Sequence, residues 1–133
     1  MKKILICVVL FATLLYANEQ ENKQHRLENM QILAKAMDDI QNGFLYNNKE
    51  MIQQGAQAIL ETSSSIATKD LKSALPEETA YAHKFAQKMA NRTQAHAQGI
   101  LDALQANDPL TAMDEYLYVL RQCTSCHLRI RTW

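Results

Sequence analysis

Asn107-Asp108-Pro109-Leu110-Thr111-Ala112-Met113-Asp114-Glu115-Tyr116-Leu117-Tyr118-Val119-Leu120-Arg121-Gln122-Cys123-Thr124-Ser125-Cys126-His127 ends a few residues before the C-terminal Trp133. The first residues are a helix start: a capping side chain from Asn107 or Asp108, then Pro109 at the first turn. Leu110, Met113, Leu117, Leu120, Thr124 and His127 follow at steps of three and four, which predicts a helix with these residues on its buried face. The last five residues set two thiols three positions apart, with an imidazole directly after the second.

That ending reads as a covalent haem attachment site. Cys123 and Cys126 can each form a thioether with one vinyl group, and His127 can bring its ring onto the iron. Three other readings of the residues compete. A redox dithiol expects a strand and a helix N-terminus around it, whereas these cysteines close a helical pattern. A zinc site needs four ligands, so Cys123, Cys126 and His127 would require a distant partner such as His83 or His96. A disulfide between residues three apart is strained in a helix and closes almost no loop.

The N-terminus has the pattern of an export signal. Met1-Lys2-Lys3 is basic, Ile4 to Tyr16 is a nearly unbroken apolar run, and Ala17 precedes polar Asn18-Glu19-Gln20. The run is short for a membrane span, and removal of residues 1–17 as a signal peptide is expected, with delivery to the periplasm. Cleavage would also remove Cys7, leaving only the two motif thiols. The loss of Lys2 and Lys3 would take the 14 basic residues to 12 against 14 acidic ones, a formal charge of −2. No nucleic acid or anionic membrane partner is implied. Residues 18–133 suffice for one domain with one core.

Three Gly and two Pro in 133 residues, with abundant Ala, Leu, Gln, Lys and Glu, favour helix throughout. From about Gln20 to Tyr46, the residues Leu27, Met30, Leu33, Ala34, Met37, Ile40 and Phe44 mark one face of a first helix. Asn47 and Asn48 can cap a second, carried by Ile52, Ala56, Ile59, Ser63 and Ile66. Thr62 to Pro76 reads as the end of that helix and a connection. Pro76 opens a third, with Glu77 and Glu78 in its first turn and Ala82, Phe85, Met89, Thr93, His96 or Ala97, Ile100 and Leu104 along its stripe. The fold class expected is all-α, an antiparallel up-down-up-down four-helix bundle.

In that topology the start of the first helix and the end of the fourth share one end of the bundle. Met30 lies about 15 Å into the first helix and His127 about 9 Å from the chain end, at 1.5 Å per residue, so the two are at comparable heights. Met30 is therefore the candidate for the second axial ligand. Met37, about 10 Å deeper, is less well placed, and His83, Phe85 and Met89 of the third helix are within reach. His25 reads as solvated and His96 as a satisfied core histidine.

Together these residues resemble the class II c-type cytochromes, the cytochrome c′ family. The resemblance extends over the whole chain after the signal, and the place of Cys123-Thr124-Ser125-Cys126-His127 at the end of a fourth helix narrows it among c-type cytochromes. Family members carry an Arg early in the first helix and the distal residue four positions later, which Arg26 and Met30 match. A basic residue stands four after the axial His, which Arg131 matches. The Asn29-Met30 pair and the His127 to Arg131 spacing are also similar to the non-covalent b-type four-helix cytochrome, whose iron is held by Met and His. Ile130 departs from the pattern, since an aromatic often stands three after the axial His, and the 62–76 connection does not align.

The resemblance implies one covalent haem c and a division of function by the distal residue. Members with Leu or Phe there are five-coordinate and bind nitric oxide or carbon monoxide. Those with Met are six-coordinate electron carriers. Met30 places this chain with the carriers, as a periplasmic monohaem protein passing single electrons between redox partner proteins, with no enzymatic turnover. The alternative is the gas-binding type, and a helical bundle without haem is a third class. Many five-coordinate relatives pair through their first two helices, the homodimer that the resemblance admits.

Overall fold

The computed structural model describes residues 2–68 and 80–130, with side chains at 20, 21, 23–67 and 84–129. Four helices follow in order: α1 (Lys2–Leu45), α2 (Lys49–Thr68), α3 (Ala80–Gln105) and α4 (Pro109–Ile130). Each packs along the next, whereas α1 and α4 meet only sparsely. This is the all-α four-helix bundle expected.

The turns 45–49 and 105–109 share one construction. Asn47 and Asn107 adopt left-handed backbone, with φ of 52° and 54°. The next N–H reaches back to close the helix end, from Asn48 to the Gly43 carbonyl at 2.8 Å and from Asp108 to that of Ala103 at 2.9 Å. The same residues then cap the following helix, Asn48 Oδ1 accepting from the Met51 N–H (3.1 Å) and Asp108 Oδ1 from that of Thr111 (3.0 Å). One residue ends a helix and its neighbour starts the next, so both hairpins are tight and antiparallel. Lys49 Nζ donates to Asn107 Oδ1 at 3.0 Å, tying the two turns together at one end of the bundle.

Between α1 and α2 the approach is close because two residues lack a side chain. A Cβ on Gly43 would lie 2.5 Å from Ile52 Cγ1, and one on Gly55 2.6 Å from Ile40 Cγ1 and 2.7 Å from the Ala36 carbonyl oxygen. The core beside them is Ala36, Ile40, Ile52, Ala56, Ile59, Ala97, Ile100, Ala103, Leu104, Ala112, Tyr116 and Val119. Alanine on α3 and α4 keeps that second pair close as well.

α2 ends at Thr68, within the stretch expected to close it, and buries Thr62 and Ser63, where packing overrides the weak helix preference of its hydroxyl residues. Two expectations change. α1 begins at Lys2 rather than near Gln20, because no Gly or Pro interrupts the helical pattern between the apolar run and Asn42. The second lies on α4, whose buried stripe is Ala112, Tyr116, Val119 and Gln122. Leu110, Met113, Leu117 and Leu120 instead stand exposed. Both stripes have helical spacing, and the turn at 105–109 rotates the smaller one inward against the alanines of α3. Pro76 and the rest of 69–79 lie outside the described residues.

Gly55→Ala tests the α1–α2 approach. Alanine favours helix by about 1 kcal/mol, yet the collision with a backbone carbonyl makes the variant about 1–3 kcal/mol less stable in urea unfolding. A neutral or stabilised variant would contradict the close contact.

Candidate haem-binding site

The two thiols and the imidazole emerge from one side of the last turns of α4. Cys123, Cys126 and His127 are half-buried, whereas Thr124 and Leu128 beside them are exposed. Thr124 Oγ1 donates to the Leu120 carbonyl (2.9 Å) and Ser125 Oγ to that of Arg121 (2.7 Å), so the hydroxyls between the cysteines turn back onto their own helix. Neither Cys123 nor Cys126 is in a disulfide. Burial, then the charge of neighbouring Cys126, push the Cys123 thiol above its ordinary pKa. A dithiol redox centre needs the opposite shift, toward thiolate.

What faces this motif follows from one ring contact. Tyr116 meets Phe44 of α1, with ring centroids 6.0 Å apart and planes at 57°. Tyr116, Cys123 and His127 are spaced seven and four, along one stripe of α4 that begins against α1 at Tyr116. Phe44 likewise ends a stripe of sevenfold spacing through Met37 and Met30. The Asp38 carboxylate also acts on the Tyr116 hydroxyl. From the ring contact, His127 lies eleven residues, about 16 Å, further along α4, and Met30 fourteen residues, about 21 Å, back along α1. Met30 and Met37 are both half-buried.

The other helices contribute small or polar groups at this end. Arg129 lies over the Phe85 ring at 5.2 Å and His96 Nδ1 meets Glu115 Oε2 at 2.7 Å, which sets α3 against α4. Ala86 and Ala90, both buried, thereby come level with the motif, and buried Met89 lies beside them. Lys49 on Asn107 and Gln87 on the Ala67 carbonyl (3.2 Å) set α2 against α3. The buried polar residues Thr62, Ser63, Thr93 and Gln122 thus form one layer within about a turn of Cys123. Ser63 Oγ is buried without a hydrogen-bond partner.

These features fit a haem on the motif. Two thiols and an imidazole share a side of α4, α1 and α4 pack only sparsely, α3 backs the motif with alanines, and an orphaned hydroxyl lies within the same end of the bundle. Of the remaining candidates, Arg26 is half-buried one turn before Met30. His25 is exposed. Arg131 and the side chain of His83 lie outside the described residues.

Phe85 is engaged by Arg129 on the α3–α4 flank. His96 is half-exposed rather than core, paired with Glu115 and stacked on Tyr118 at 5.0 Å, about three turns below the motif. It is too distant to complete a zinc site with Cys123 and Cys126. Sequence reasoning missed Tyr116 and Gln122, since neither follows from the apolar stripe; it set Ser63 on the stripe of the second helix without anticipating its unsatisfied hydroxyl. Only the second, weaker periodicity through Ala112 and Val119 pointed to Tyr116.

Tyr116 makes a pH prediction. Burial first, then the Asp38 carboxylate, then Cys123 push its phenol above the ordinary value of about 10. A raised folded-state pKa leaves stability whole below the unfolded value and removes it as pH rises through the folded one. Urea unfolding should therefore show stability declining above about pH 10, and less steeply in Tyr116→Phe. An identical decline in the variant would exclude Tyr116 as its source.

No family model, curated protein or solved structure matches this chain, and the site is read from its own residues.

Proposed function

We propose that this chain is an exported monohaem c-type cytochrome of the cytochrome c′ type, passing single electrons between redox partner proteins of the periplasm. The observation that carries the proposal is that Cys123, Cys126 and His127, all half-buried, share one side of α4, the helix that meets α1 through Tyr116 and Phe44. Cys123 and Cys126 are the tethers, His127 the proximal iron ligand and Met30 the distal one. Haem supplies a one-electron couple, and a thioether ligand raises its potential. The chain holds both ligands on long helices closed by rigid turns, which limits rearrangement when the charge changes. Arg26 and Arg131 are the basic residues assigned to the haem's surroundings. Export removes residues 1–17 and brings the thiols to the compartment where they are joined to haem.

The test is the visible spectrum of the purified protein, oxidised, reduced, and reduced under carbon monoxide. Sharp α and β bands indifferent to the gas are expected. Met30→Ala should open the iron and make the reduced protein respond to carbon monoxide. A wild-type spectrum that is high-spin and shifts with the gas would replace electron transfer with gas binding, and a colourless protein would remove the haem reading altogether.

A further inference from the structure

Leu110, Met113, Leu117, Leu120 and Leu128 stand on the outer side of α4 with 70, 40, 51, 46 and 61% of their surface exposed. With Thr124, they follow a heptad in which Leu110, Leu117 and Thr124 occupy one seam position and Met113 and Leu120 the other. Apolar residues at strict heptad spacing form a seam for another helix, and a stripe this long is unusual on a monomer's surface. At roughly 100 Å² for each half-exposed large side chain, the face amounts to about 500 Å² per copy and about 1,000 Å² in a pair, the lower end for specific association.

We propose that two copies of the chain associate through this face, α4 against α4 and antiparallel, centred on Leu117 and Leu120. The charges beside the seam select both the occupant and the orientation. Asp114, Arg121 and Leu128 occupy the outer flank, whereas the inner flank holds Tyr116 and Cys123, which belong to the interior. A parallel pair would need the inner flank to meet the outer one. An antiparallel pair sets outer flank against outer flank, with Asp114 of each copy facing Arg121 of the other and Leu110 close to Leu128. Both side chains are exposed, and among the described residues neither makes an ion pair within the chain. A two-fold axis makes the Asp114–Arg121 contact twice, so the face is complementary to itself. This contact is distinct from pairing through α1 and α2 and does not depend on haem.

The experiment is sedimentation equilibrium of the purified protein from low to high micromolar concentration, with far-UV circular dichroism to verify the fold. The wild type should form a concentration-dependent dimer. Leu117→Glu should be monomeric, and Arg121→Asp, which opposes like charges at both contacts, should weaken the dimer about tenfold or more. The double variant Asp114→Arg with Arg121→Asp should restore it. A monomer throughout the range would overturn the proposal. So would a dimer indifferent to Leu117→Glu and to charge reversal, which would locate association on another face.

Discussion

The contact between Phe44 and Tyr116 organises the far side of this bundle. α1 and α4 are the first and last helices, joined by no turn and packed only sparsely, so their relation depends on the side chains that span the seam. At the turn end the two rings meet at 6.0 Å. That sets the height and rotation of α4 relative to α1, and so decides which residues of α1 look toward Cys123, Cys126 and His127. Without it, the motif would remain a local pattern on one helix.

The neighbouring pairs are held by a different device. Two turns of the same construction, each with an asparagine in the left-handed region and a capping Asn or Asp after it, force tight hairpins. Gly43 and Gly55 then let α1 and α2 approach closely, and alanines do the same between α3 and α4. The consequence is a gradient along the bundle. The turn end is filled by Ile40, Ile52, Ile59, Ile100, Leu104 and Val119, whereas Thr62, Ser63, Thr93 and Gln122 introduce polar groups near the motif. A buried hydroxyl without a partner costs about 1–3 kcal/mol, so an interior polar atom at this end is more intelligible if something binds there.

Much of this was legible from residues alone, and the failures share a cause. Helical periodicity, the Asn-rich turns and the Cys123–His127 spacing are local, each governed by interactions within a turn or two of chain. α2 reaches Thr68 although hydroxyl residues are weak helix formers in isolation, since burial of Thr62 and Ser63 compensates. The face of α4 was misjudged because Leu110, Met113, Leu117 and Leu120 form the more hydrophobic stripe. Packing chose Ala112, Tyr116 and Val119, since a helix brought close to the alanine face of α3 cannot turn four large side chains toward it.

The sequence by itself determined that the chain is helical, where the two tight turns fall, and that two thiols and an imidazole share one side of a helix, because these depend on backbone preference and spacing. It also nominated Met30 by counting residues. Only the tertiary structure decided that α4 meets α1 through Tyr116 and Phe44, that Ser63 is enclosed, and that the leucines of α4 face outward. Those outcomes depend on the rotation and register of whole helices, set by contacts such as Phe44 with Tyr116 between residues more than seventy positions apart, which no local pattern encodes.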